Sequence, residues 1–458
     1  MKQEQTLSPF RRNGILLTLL LSSFITAMST TVTGNMIPNL MVYFSVSSSA
    51  AQWLTSGATL LSGIIIPITA VMMKRMPNKL YYLLAMSLFT IGSLGACVAT
   101  DFPVLLCSRL IQALGCGMLL SFSQIVILTI YPREKHGVMM AAYSMAATVS
   151  STVGPTYAGL LMDSVGWRGV FVSLLIIGAL LIVCGIVFMC NVTPQQPAFL
   201  PIGSVALSSA GFAFFIIGLN NMKAGAFHLK SGGVMLLGLC ALVAFSVFQL
   251  RARQPMLNLR VFQYPQFRLG VFFTICFYLI SMGNAVILPI LAKIICGFSD
   301  TSYGLATVVG ALISVFATLF AGKIYDKVGI RPMSFVTVAA YAAYSVLGVF
   351  SHEGISIVYI GWMSALQSVA MAAMISPTTT IALSGLPQQD RVDGSAVFNT
   401  LRQIASSLAS TTAVLLFALL GDDLPAIHGV YLYFGAITLL IAFLSFFVLP
   451  RISRANSR

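Results

Sequence analysis

The chain is a succession of apolar runs, each about as long as a membrane crossing, laid almost end to end with short polar turns between them. A bilayer core roughly 30 Å thick takes ~20 apolar residues per spanning helix. Read this way, the sequence gives fourteen spans, beginning near Gly14, Ala50, Lys79, Phe102, Gly137, Gly169, Pro201, Lys230, Arg268, Thr301, Pro332, Ile355, Gly394 and Val430. Only 8% of the residues are charged and 58% are hydrophobic, whereas a soluble domain is about a quarter charged. The 458 residues therefore read as one polytopic membrane protein rather than as about three soluble domains.

The net charge of +14 has two readings, a nucleic-acid surface or the cytoplasmic bias of basic residues in membrane proteins. No basic face exists outside the loops, so no nucleic-acid partner is expected. With the N-terminus inside, nineteen of the twenty-five lysines and arginines fall on the cytoplasmic side. Four, Arg168, Lys223, Lys230 and Lys293, fall outside, and Arg109 and Arg402 lie within spans. That asymmetry predicts a multi-pass plasma-membrane protein with both termini cytoplasmic. The N-terminal MKQEQTLSPFRRNG has the positive start of a signal peptide, but the following apolar run is too long and ends without a cleavage pattern, so it reads as a retained first span. The eight cysteines lack C-x-x-C or Cys/His spacing and read as small core residues, with no metal site or cofactor expected. No H-E-x-x-H, phosphate loop or carboxylate pair within a span appears, so no enzyme and no ATP-driven engine is expected.

Polarity inside the spans is sparse and uncharged. Residues 25–40 read ITAMSTTVTGNMIPNL, in which Ser29, Thr30, Thr31 and Asn35 lie inside an apolar run. They read either as hydrogen-bonding cavity lining or as glue between helices. Arg109 stands about seven residues into the fourth span, followed by Gln112, Gly115 and Gly117. An arginine in a bilayer costs several kcal/mol unless it meets a cavity or a partner. It reads either as a cavity arginine or as one that snorkels to the outer interface. All eleven acidic residues and all four histidines fall in loops or at span ends. A cavity that holds an arginine and no acid carries positive potential, disfavours organic cations, and suits anions or neutral amphiphiles.

Several stretches resemble one family. GKIYDKVGIRP at 322–332 resembles the G-x-x-x-D-x-x-G-x-R cytoplasmic loop of the major facilitator superfamily, and AVMMKRMPNK at 70–79 occupies the matching place in the first half. CSRLIQALGCGM at 107–118 resembles its fourth-helix R-x-x-Q-G motif, VSSTVGPTYAG at 149–159 the Gly-Pro motif of its antiporters, and WRGVF at 167–171 the opening of its sixth helix. QPMLNLRVFQYPQFRLG at 254–270 and LSGLPQQDRVDGSAVFNTLRQIASSL at 383–408 are similar to signatures of the fourteen-helix drug:proton antiporters, the EmrB/QacA-like group.

The resemblance implies an all-α integral membrane fold. Two six-helix lobes, 1–191 and 254–458, flank an inserted helix pair at 192–253. It implies a secondary active exporter of drugs or small amphipathic metabolites, working by alternating access with protons as the coupling ion. It places Gln52, Trp53, Asn284, Trp362, Gln367, Asn399 and Gln403 in the central cavity, where Arg402 either joins them or snorkels. It gives Gly154 and Pro155 the role of a kink, and Gly322, Asp326 and Arg331 that of a conformational switch. Asp326, in a turn between helix ends, is expected either to sit favourably near a helix N-terminus and clasp the basic residues around it, Lys323, Lys327 and Arg331, or to remain a solvated loop charge.

The chain also departs from the family. Alignment on Pro38 puts Ser29 where the group carries an aspartate in its first helix, and Lys74 and Pro77 replace the Asp and Gly of the first-half loop. The missing acid leaves two competitors to a proton-coupled exporter: a facilitator or anion exchanger that needs no protein carboxylate, and a membrane sensor that binds without transporting.

Overall fold

The structure is a computed structural model that describes residues 8–46, 48–192, 195, 202–220, 229–252, 255, 257–298, 300–421 and 423–447. Among these residues all regular structure is helical. The α-helices are α1 (Pro9–Phe44), α2 (Ser48–Arg75), α3 (Asn78–Cys97), α4 (Phe102–Ile130), α5 (His136–Phe188), α6 (Ile202–Asn220) and α7 (Leu229–Arg251). They continue with α8 (Pro265–Pro289), α9 (Asp300–Val328), α10 (Ile330–Val349), α11 (Ile357–Ser384), α12 (Arg391–Leu420) and α13 (Leu424–Phe447).

Local chemistry sets several of these boundaries. Ser8 opens α1 by accepting the Arg11 backbone N–H at 3.3 Å, with Pro9 in the first turn, the ordinary way to satisfy helix-start donors. Asp101 does the same for α4, accepting from the Val104 N–H at 2.9 Å. Helix α5 is interrupted at Gly166, whose φ of 75° and ψ of 177° suit a residue without a β-carbon. Its two parts, before and after the break, correspond to the fifth and sixth runs read from the sequence.

Among the described residues, eleven helices are long and apolar enough to cross a membrane. Within α6, Gly203–Phe215 is a shorter apolar helix.

The chain divides into two compact units. The first gathers residues 1–133, 146–209 and 251–257, and the second 134–145, 210–250 and 258–458. Helix α5 thus begins in the second unit and continues in the first. In the first unit α3 and α4 pack backbone to backbone. A β-carbon on Gly92 would fall 2.5 Å from the Gln112 nitrogen, and one on Gly115 would fall 2.4 Å from the Ala85 carbonyl. Small residues permit such contact between membrane helices. The second unit centres on an aromatic core that includes Phe273, Phe277, Tyr341, Tyr344, Tyr431 and Phe434.

Candidate functional site

The packing of α3 on α4 fixes the face of α4 that carries Arg109 and Gln112. Arg109 is 3% exposed, so it does not snorkel to the surface. One terminal nitrogen donates to the Ser29 hydroxyl at 2.8 Å and to the Gln112 side-chain carbonyl, and the other reaches the Ser29 backbone carbonyl at 3.4 Å. Gln112 passes the chain on, donating to Ser93 Oγ at 2.7 Å, and Ser93 donates to the Phe89 carbonyl at 2.9 Å. The Arg109 Nε is buried, with no partner among the described residues. Among the described residues no carboxylate pairs with this guanidinium. Hydrogen bonds to a charged group are worth about 1.5–3 kcal/mol each, and here they orient the cation without neutralising it. The node therefore keeps positive charge in a desolvated place, where it attracts an anion more strongly than it would in water.

The remaining α1 hydroxyls mostly serve their own helix. Thr31 donates to the Ala27 carbonyl at 3.2 Å, Thr33 to Ser29 at 2.8 Å, and the exposed Thr30 to Thr26 at 3.5 Å. Such back-bonding satisfies a hydroxyl in an apolar run at little cost. Thr31 also faces Gly154, where a β-carbon would come within 3.1 Å of it. Ser29 is thus the α1 hydroxyl that reaches across to Arg109. The side chains of Asn35, Gln52 and Pro155 lie outside the described residues. Trp53 is partly exposed, with its ring 3.3 Å from the β-carbon position of Gly57 on the same helix, and Trp362 is exposed.

The second unit joins Asn284 and Gln367 directly. Asn284 donates to the Gln367 side-chain carbonyl and accepts from the Tyr344 hydroxyl, which also lies 3.2 Å from the Tyr431 hydroxyl. Gln367 donates to the Ser281 carbonyl at 3.2 Å, and Ser281 Oγ meets the Tyr341 hydroxyl at 2.6 Å. Sequence reasoning missed the tyrosines. The signal was present as a pair of i, i+3 spacings, Ser281/Asn284 on α8 and Tyr341/Tyr344 on α10, which put two polar groups on one face of each helix. On α12, the buried Asn399 donates to the Ser395 carbonyl at 3.0 Å, while the half-buried Arg402 stands 5.9 Å from the Tyr278 ring centroid. Gln403 is half-buried beside it in sequence.

Asp326 corrects one expectation. It clasps none of Lys323, Lys327 or Arg331. Its two oxygens instead accept from the backbone N–H groups of Gly137 and Val138, both at 2.8 Å. The first N–H groups of a helix have no partner of their own and form an anion site, so the start of α5 outcompetes solvated lysines. Gly322 lies one turn before Asp326, and a β-carbon there would fall 2.7 Å from the Gly137 carbonyl and 2.4 Å from the Ala141 β-carbon. Ser376 of α11 donates to that same Gly137 carbonyl at 3.3 Å. Arg331 is exposed.

The Major Facilitator Superfamily profile matches residues 19–410 and 271–458. The lincomycin resistance protein LmrB of Bacillus subtilis (strain 168) is 29% identical over 88% of this chain and 85% of its own. The multidrug export protein EmrB of Escherichia coli (strain K12) is 24% identical over 90% of this chain and 81% of its own. In fold, the chain is similar to the human organic anion transporter MFSD10 (TETRAN), with a TM-score of 0.67 and 15% identity across 95% of this chain and 99% of that one.

Proposed function

This chain belongs to the Major Facilitator Superfamily, and from that membership we propose that it is a secondary active exporter of small amphipathic molecules that works by alternating access. Relatives named for lincomycin resistance and multidrug export support export as the direction. The chain is a multi-pass membrane protein, with eleven helices among the described residues able to cross by length and composition. Both termini lie in the cytoplasm, as the basic-residue asymmetry indicates. The lobes of that mechanism are 1–191 and 254–458, with the pair at 192–253 inserted.

The observation that carries the substrate class is the Arg109 node. A buried guanidinium held by Ser29 and Gln112, with no carboxylate on it among the described residues, favours an anionic or neutral hydrogen-bonding amphiphile over a cation. By resemblance to the family, the substrate-facing positions are Thr30, Thr31, Asn35, Gln52 and Trp53 in the first half of the sequence and Asn284, Gln367, Asn399, Arg402 and Gln403 in the second. Gly154 and Pro155 bend α5. The contact of Asp326 and Gly322 with the start of α5, flanked by Arg331, makes and breaks during the cycle.

Proton coupling follows the family. Without an acid at Arg109, the proton is carried by an acid at a span end, such as Asp163 or Asp300, or by the substrate itself. The same absence favours a second reading, a facilitator or anion exchanger. Counterflow in proteoliposomes under imposed pH and voltage separates the two. An exporter concentrates substrate when only the pH gradient is supplied, and an exchanger responds only to a counter-anion. Substrate binding without flux under any gradient would overturn both.

A further inference from the structure

Three apolar spans of the first unit end at one level. Those of α1 and α3 begin at Pro9 and Asn78, and that of the second part of α5 ends at Phe188. The three ends are tied together. The Phe10 ring lies 5.9 Å from that of Phe188, and a β-carbon on Gly14 would collide with the same Phe188 ring. The Val192 backbone N–H donates to Asn78 Oδ1 at 3.0 Å, and the Lys79 backbone N–H to Asn191 Oδ1 at 3.3 Å. This level is therefore the border at which the apolar core of the membrane gives way to phospholipid headgroups.

Two cations from different helices meet at this border. Arg11 of α1 donates from Nε to the Phe188 carbonyl at 3.4 Å, and Lys79 of α3 donates from Nζ to the Ile186 carbonyl at 2.6 Å. Both carbonyls belong to the last turn of α5, where helix carbonyls lack partners of their own and the dipole favours positive charge. They are two residues apart, about 3 Å of helix rise, so the end of α5 holds the guanidinium and the ammonium side by side. Each of these bonds uses one N–H. A guanidinium has about five and an ammonium about three, so donors remain on both for an oxyanion. Arg11 is exposed and Lys79 half-buried. Beside them Phe10, Leu80, Ile186 and Val187 are all more than half exposed. Residues 1–100 carry six lysines and arginines and one acid, Glu4, so the balance stays positive even with Glu4 ionised beside any one of them.

We propose that Arg11 and Lys79 bind the phosphodiester of an anionic phospholipid, whose acyl chains lie on the exposed apolar residues beside them. Basic residues next to a membrane border attract anionic lipids. Here two of them are preset on one helix end, which makes a site rather than a diffuse patch. A free phosphate would use the same two cations and none of the apolar residues. The inference does not depend on the exporter reading or on Arg109, because it concerns lipid held at equilibrium.

Native mass spectrometry of the full chain in detergent, titrated with dioleoyl phosphatidylglycerol or dioleoyl phosphatidylcholine, counts the lipid that is held. One phosphatidylglycerol per chain is expected to bind at least fivefold more tightly than phosphatidylcholine. Arg11→Gln with Lys79→Gln should remove that preference, and Arg11→Gln alone, at an exposed side chain, should lower it severalfold. Lys135→Gln, which removes an exposed charge elsewhere on the chain, should keep it. Phe10→Ser should weaken phosphatidylglycerol binding severalfold, because a lipid touches that ring and a free phosphate does not. Equal binding of the two lipids overturns the site. So does a preference that survives Arg11→Gln, or one that Lys135→Gln lowers as much as Arg11→Gln does. Unchanged binding in Phe10→Ser, or displacement of the lipid by equimolar glycerol phosphate, overturns the lipid as occupant.

Discussion

The Ser29 hydroxyl accepts a hydrogen bond from the Arg109 guanidinium at 2.8 Å, across eighty residues of sequence. The position that resembles the acidic site of the family's first helix is therefore the one in contact with the buried arginine. A neutral hydroxyl here orients the cation where an aspartate would cancel it. Restoring the acid should reverse the preference. Ser29→Asp is expected to lower export of anionic substrates at least tenfold and to raise export of cationic dyes, as read in a resistance panel in an efflux-deficient host. Unchanged anion export in Ser29→Asp would remove the electrostatic argument.

Gln112 acts as a positioning residue, since it bonds both Arg109 and Ser93. Gln112→Leu is expected to raise KM for an anionic substrate severalfold with a smaller change in maximal rate, because it frees the guanidinium without removing its charge. Gln112→Glu should instead place a carboxylate on Arg109 and reproduce the charge reversal of Ser29→Asp. Flux against substrate concentration separates the two effects.

Asp326 caps the first N–H groups of α5 through Gly137 and Val138. Asp326→Asn keeps the shape and loses the charge, and a helix-start anion contributes about 0.5–2 kcal/mol. The expected result is slower transport with unchanged substrate affinity, because one conformation loses a bond that the binding site does not share. Lys323→Ala should leave rates nearly unaltered, since that lysine makes no contact with Asp326 among the described residues. Equal losses in both variants would point to the loop's charge rather than to the cap.

Gly322→Val tests the close crossing behind that cap. A β-carbon at Gly322 falls inside contact distance of Ala141 and the Gly137 carbonyl, and forcing such contacts apart typically costs about 1–3 kcal/mol. A lower melting temperature in detergent is expected for Gly322→Val. Gly203→Ala, where a β-carbon meets nothing within 4 Å, should be neutral.

Much of this fold could be read from the sequence because a bilayer leaves the chain few choices. The starts expected near Lys79 and Phe102 fall at Asn78 and Phe102. The thirteenth α-helix begins earlier than the expected Val430, at Leu424. The Asp423 carboxylate caps the Ala426 N–H at 3.0 Å, and a charged Asp-Asp-Leu-Pro stretch looks like loop until that bond is known. Among the described residues no acid meets Arg109, in keeping with the placement of the acidic residues in loops and at span ends. Which group orients the arginine was not legible. Ser29, Thr30 and Thr31 look alike in sequence, and helix rotation alone decides that Ser29 reaches α4. Asp326 was placed with its lysine neighbours because sequence proximity hides the competing donors of a helix that begins nearly two hundred residues away.

The charge of the Arg109 node sets the substrate preference, and one flux comparison tests it most directly. Proteoliposomes carrying the wild-type chain or Arg109→Ala would be given two amphiphiles that share a carbon skeleton, one ending in a sulfonate and the other in a trimethylammonium group. Wild type is expected to move the sulfonate at least tenfold faster than its cationic twin, and Arg109→Ala to lose this transport while still inserting in the membrane. Faster movement of the cation by wild type, or sulfonate flux unaltered in Arg109→Ala, would contradict it.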